Sequence, residues 1–191
     1  YSILPTTTQY ARNSLFSGLM PNEIKNKYPN WWSDEHEEGS KNKFEKELFD
    51  EHLKRFGINI KTSYNKILNL ESGKKLSENI SNLMNNDFNI IVYNFVDMLS
   101  HARTDMKVIK ELADDDSAYR SLTASWFEHS PLNDIISKIA QQGAKMVITT
   151  DHGTINVNKP SKVIGDRNVN PNLRYKHGKN LNYISNDVFE M

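Results

Sequence analysis

The sequence predicts an α/β sandwich with a mostly parallel central sheet and helices on both faces, and three observations carry that reading. Residues 88–96 and 145–150 are nearly continuous apolar runs, the pattern of strands covered on both sides. Apolar residues at helical spacing lie before and between these runs, so strands alternate with helices along the chain. Of the 191 residues, 37% are hydrophobic and 10% aromatic, enough to bury the core of one domain.

In chain order, residues 2–4 read as the end of a strand broken by Pro5. Residues 9–20 then place Tyr10, Ser14, Phe16 and Leu19 near helical spacing ahead of Pro21. Residues 21–41, with Trp31, Trp32 and an acidic cluster, look like a long surface excursion. Phe44, Leu48, His52, Leu53 and Phe56 form a helical stripe that Gly57 can end, and residues 58–67 follow as a strand. Leu76, Ile80 and Leu83 mark the next helix. After the strand over 88–96, a helical stretch over 117–142 is interrupted by Pro131 and leads into the strand over 145–150. The chain opens on Tyr1-Ser2-Ile3-Leu4 with neither an initiator Met nor a signal pattern, so the expectation is one domain over 1–191, incomplete at both ends.

Composition narrows the function classes. The 24 Lys plus Arg balance 24 Asp plus Glu, so no net charge drives the chain toward nucleic acid or anionic lipid. No apolar run approaches the roughly 20 residues of a membrane helix, and a soluble, cytoplasmic protein without a membrane partner is expected. With no cysteine, any metal must bind His and carboxylate.

In α/β sheets, ligand sites lie beyond the carboxyl ends of the strands. Three such ends are polar: Thr6-Thr7-Thr8 after the first, Asp97 with His101 after the third, and Asp151-His152-Gly153 after the fourth. If a helix starts after Val96, Asp97 and His101 share one face and can converge on one ion; the plainer reading is an N-cap and a surface histidine. Asp151 and His152 can reach one ion only if the strand has already ended, which Gly153 permits; otherwise they are a polar turn. Two Asp and two His suit zinc, with manganese next. Metal coordination is one of the few ways to activate a threonine, and Thr8 would stand at the N-terminus of the first helix, where it is otherwise only an N-cap. Arg12 and Asn13, one turn on, could meet a phosphate oxygen or simply face solvent.

Four segments carry a resemblance: ILPTTTQYARNSLFSGLMP (3–21), YNFVDMLSHAR (93–103), VITTDHGTINV (147–157) and VIGDRNVNPNLRYKHGKNL (163–181). Together they resemble a PglZ domain of the alkaline phosphatase superfamily, in particular that of PorX-like response regulators, over nearly the whole chain. Pro-Thr-x-Thr also resembles the nucleophile segment of nucleotide pyrophosphatases/phosphodiesterases. Aligning Gly18-Leu19 there puts the nucleophile on Thr8, with Thr7 the fallback.

The resemblance implies an alkaline-phosphatase-like sandwich. Asp97 and His101 would hold one zinc, and Asp151, His152 and the Thr8 oxygen a second. Two further ligands of the family, an aspartate ahead of residue 1 and a histidine of a His-Gly-Gly segment, are expected outside this chain, as is a receiver domain. His177 lies in a segment where variation is expected and is not taken as a ligand.

The implied function is a zinc-dependent phosphodiesterase acting on nucleotides or oligonucleotides through metal-bound Thr8. It would be the output domain of a two-component response regulator linked to type IX secretion. Arg12, Asn13, Arg167 and Lys176 are the candidate substrate contacts, and Arg174 and Lys179 add positive charge beside an Asn-rich turn. Trp31 and Trp32 could stack on bases, although aromatic packing or a dimer contact explains them better. The alternative is a regulatory zinc-binding module with little hydrolysis, acting through a homodimer mate, a sensor kinase or a transcription factor.

Overall fold

The computed structural model describes residues 3–34, 37–153, 157, 159–170 and 172–190, apart from the side chains of Val96 and Thr104. The chain divides into two compact units, the first formed by Tyr1–Ile58 with Thr149–Met191 and the second by Asn59–Ile148. Ser2 of the expected first strand lies outside the described residues, and Ile3 and Leu4 form no strand.

The first unit is built on α1 (Thr8–Ser17), α2 (Pro21–Lys27) and α3 (Glu45–Arg55). The N-cap of α1 is Thr7, so Thr8 is the first helical residue rather than the cap. The helix ends at Gly18, three residues short of Pro21, because Gly18 turns left-handed (φ 63°) and donates its N–H to Ser14 O at 2.8 Å. A Cβ at Gly18 would stand 2.5 Å from Cε1 of His52, whose ring lies 2.9 Å from the Phe16 carbonyl through Nδ1. α1 packs on α3, and Arg12 of α1 forms an ion pair with Glu45, which is 1% exposed. Ala11, Phe16, Ile24 and Leu48 are buried in this unit.

The first half of the segment expected as an excursion is helical instead. Pro21 occupies the first turn of α2, where its missing N–H costs nothing, and Glu23 accepts from the Met20 N–H at 2.8 Å. A 3-10 turn at Pro29–Trp31 follows, on which Tyr28 and Trp31 stack with centroids 4.9 Å apart. Trp31 also lies 6.3 Å from Phe44, and Trp32 lies 5.8 Å from Tyr10 while donating its indole N–H to Asp34 at 3.0 Å. The two tryptophans are therefore packing residues.

In the second unit, β1 (Thr62–Ile67) pairs in parallel with β2 (Phe88–Tyr93), in register from Thr62↔Phe88 to Ile67↔Tyr93. The crossover runs through α4 (Leu70–Glu78) and α5 (Ile80–Leu83). Asn69 caps α4 by accepting from the Ser72 N–H at 2.9 Å. α6 (Phe95–Asp105), α7 (Lys107–Leu112), α8 (Asp116–Glu128) and α9 (Pro131–Gln141) complete the unit. Pro131 opens α9 under a Ser130 cap, so the proline read as an interruption is a helix start. Ile67, Leu76, Ile80, Leu83 and Ile135 form the core, with Ile91, Tyr93 and Ile139 packed against it.

The expected sandwich is present only in part. The described residues hold one two-stranded parallel sheet. Residues 145–150 are unpaired, and Val147 and Ile148 are 89% and 76% exposed. An apolar run supplies side chains for a sheet but not the neighbouring edge that a strand needs, and the division between the units falls within this run. No helix among the described residues is long and apolar enough to cross a membrane.

Candidate functional site

Within the first unit, two loops distant in sequence meet at the start of α1. The Thr7 N–H donates to Pro5 O at 2.8 Å, and Thr7 caps the helix through its backbone, with the amides of Tyr10 and Ala11 bonding its carbonyl at 3.2 and 2.9 Å. The Thr8 side chain, relieved of capping, puts Oγ1 3.2 Å from His152 Nε2. The hydroxyl of Thr7, the fallback nucleophile, is buried and makes no hydrogen bond.

Asp151 and His152 lie where the backbone has left any strand geometry, so both side chains fall on one side. Asp151 Oδ2 is 3.8 Å from His152 Nε2, with the two side chains 17% and 12% exposed. The turn is closed by the His152 N–H donating to Asp151 Oδ1 at 3.1 Å and by the Thr150 hydroxyl donating to His152 O at 2.8 Å. His152 Nδ1 lies 3.1 Å from the Gly153 carbonyl. A carbonyl only accepts, so with the ring proton on Nδ1 this contact is a hydrogen bond and the Nε2 lone pair faces Thr8.

Asp97 and His101 belong to the second unit. β2 ends at Tyr93, and α6 starts at Phe95, whose ring stacks on Trp126 at 3.6 Å. Asp97 therefore stands in the first turn of a helix with His101 one turn on, and Asp97 Oδ1 lies 3.6 Å from His101 Nε2.

The donor sets can be tested against a metal. Two ligands each about 2.1 Å from a tetrahedral zinc stand about 3.4 Å apart. The separations around His152 Nε2 (3.2 and 3.8 Å) and between Asp97 and His101 (3.6 Å) bracket that value. Imidazole nitrogen, carboxylate and hydroxyl oxygen are ligands that zinc accepts, and a carbonyl behind the other imidazole nitrogen is the usual orienting partner of a ligating histidine. The donors of each pair are spaced as two ligands of one divalent cation would be. Among the described residues no group of three or more His, Cys, Asp or Glu side chains is gathered, so each candidate centre is a carboxylate–imidazole pair.

The candidate substrate contacts are placed differently. Arg12 is engaged with Glu45, and Asn13, 2% exposed, donates to Lys41 O at 3.1 Å and accepts from Asn42 Nδ2 at 3.0 Å. Asn13 is buried and Arg12 largely so; Arg12 ties α1 to the first residue of α3, and Asn13 ties it to the segment that leads there. Lys176 donates to Asn170 O at 3.1 Å, and the His177 N–H donates to Asn170 Oδ1 at 2.8 Å, so these two brace a loop. Arg167 is exposed. Arg174, which the sequence offered only as part of a basic cluster, reaches the site: Nη1 donates to Thr6 O at 2.8 Å and to Thr6 Oγ1 at 3.2 Å, and Nη2 donates to Gly153 O at 3.1 Å.

The first unit thus sets a hydroxyl at a helix N-terminus against an imidazole, with a carboxylate beside it. The family model of PglZ, the BREX system PglZ alkaline phosphatase-like domain, matches residues 1–191, and the chain belongs to that family. No curated protein matches the chain.

Proposed function

We propose that this domain is a zinc-dependent phosphodiesterase that cleaves nucleotide or oligonucleotide phosphodiesters with Thr8 as nucleophile. The observation that carries the reading is Thr8 Oγ1 held 3.2 Å from His152 Nε2 at the first residue of α1. Asp151, His152 and Thr8 would hold one ion, and Asp97 and His101 offer a second donor pair. A divalent cation at Asp151, His152 and Thr8 would acidify the hydroxyl and neutralise charge on the phosphoryl oxygens.

The chain's own residues account for the rest. The positive end of α1 favours phosphate oxygens near Thr8. With His152 Nε2 serving as a ligand, the Thr8 hydroxyl gives its proton to solvent, and the oxygen is then nucleophilic. Thr8 Oγ then bonds to phosphorus, and the bond from phosphorus to the leaving alcohol breaks, the alcohol taking a proton from solvent. Water next attacks the phosphorylated Thr8, breaking its bond to phosphorus and returning the proton to the hydroxyl. Resemblance to PorX-like proteins supports a place as a cytoplasmic response-regulator output domain. In that setting a sensor kinase, a transcription factor and a second copy of the chain would be its partners.

The test is release of p-nitrophenol from bis-p-nitrophenyl phosphate. Zinc-dependent turnover supports the reading. Retained zinc with no turnover would instead make this a regulatory binding module.

A further inference from the structure

The inference concerns Arg174 and rests on the phosphoesterase reading above. Its guanidinium joins two loops that lie far apart in sequence, bonding Thr6 O and Thr6 Oγ1 through Nη1 and Gly153 O through Nη2. Its backbone is held as well, since the Arg174 N–H donates to Asn172 Oδ1 at 2.8 Å. The Gly153 carbonyl that Arg174 grips also lies 3.1 Å from His152 Nδ1. Arg174 Nη1 is itself 3.4 Å from Nδ1, a longer approach than the 3.1 Å to the Gly153 carbonyl, which is therefore the nearer partner of that nitrogen.

We propose that Arg174 is a positioning residue that clamps the Thr6–Thr8 loop to the Asp151–Gly153 loop and, through the Gly153 carbonyl, holds His152 with its proton on Nδ1 and Nε2 turned to Thr8. The planar fork suits this role because its two ends serve acceptors on different loops at once, whereas a lysine ammonium is a point charge on a flexible stem. Both terminal nitrogens donate to loop acceptors, which is the geometry of a clamp. Partners that orient a ligating or proton-holding histidine are worth about 10- to 100-fold in activity or affinity.

The test pairs ring spectroscopy with kinetics. Long-range proton–nitrogen spectra of the metal-free protein, with the His152 signals assigned by their loss in His152→Gln, read the tautomer directly. The wild type is expected to carry the proton on Nδ1, and Arg174→Met to shift population toward Nε2–H. Zinc-supported hydrolysis by Arg174→Met should lose about 10- to 100-fold in kcat with little change in KM. Arg174→Lys, which keeps the charge but cannot span both loops, should resemble Arg174→Met and serves as the second variant if methionine disturbs folding. An unchanged His152 spectrum, an Arg174→Lys protein equal to wild type, or a rise in KM at constant kcat would each overturn the clamp. If the wild type hydrolyses nothing, the phosphoesterase reading fails and the ring spectra still decide the clamp.

Discussion

Arg12 of α1 pairs with Glu45 of α3, a carboxylate only 1% exposed, so the helix that presents Thr8 is fastened to its neighbour by a buried charge. Desolvating such a carboxylate is tolerable only while its cationic partner remains, and removing one member of a buried pair costs about 3 kcal/mol or more.

Arg12→Ala is therefore expected to destabilise the protein by about 3 kcal/mol in urea unfolding, while KM for a phosphodiester measured on the folded fraction stays as in wild type. A raised KM with unchanged stability would return Arg12 to the role of a phosphate contact.

Gly18→Ala meets two obstacles at once. The backbone there is left-handed at φ 63°, and the new Cβ would stand 2.5 Å from the His52 ring, which lies against the Phe16 carbonyl. A loss of roughly 2 kcal/mol or more is expected, read as a lower urea midpoint. A midpoint equal to wild type would contradict the packing of α1 on α3.

Burial raises the Tyr93 phenol above its ordinary value of 10.0. The folded state therefore keeps a proton that the unfolded chain has already lost. The stability this contributes is complete below the unfolded value and disappears as pH rises through the folded one. Urea midpoints of wild type should accordingly fall faster than those of Tyr93→Phe as pH is taken above 10.0; parallel curves would dismiss the effect.

Metal content separates the two donor pairs. Zinc analysis of wild type should give about two ions per chain. His101→Gln and His152→Gln should each lower that content, and a full complement in either variant would remove that histidine from the ligands.

Much of this was legible in the sequence because it depends on local pattern. The stripe from Phe44 to Phe56 became α3, and the helix following β2 put Asp97 and His101 on one face. Asp151 and His152 were readable as a pair because a turn, unlike a strand, lets adjacent side chains converge. What escaped depends on partners remote in sequence. Nothing near Arg12 or Asn13 announces Glu45 or Asn42, and nothing near Arg174 announces Thr6, 168 residues away. Residues 145–150 misled for the related reason that apolar content does not supply a paired edge.

The central claim is that Thr8 is the attacking group, and the sharpest measurement is zinc-supported hydrolysis of bis-p-nitrophenyl phosphate by wild type and Thr8→Val at equal folded concentration. Valine keeps the shape and deletes the oxygen, so the fold should survive while turnover drops by roughly three orders of magnitude or more. Equal turnover by the two proteins would contradict the account.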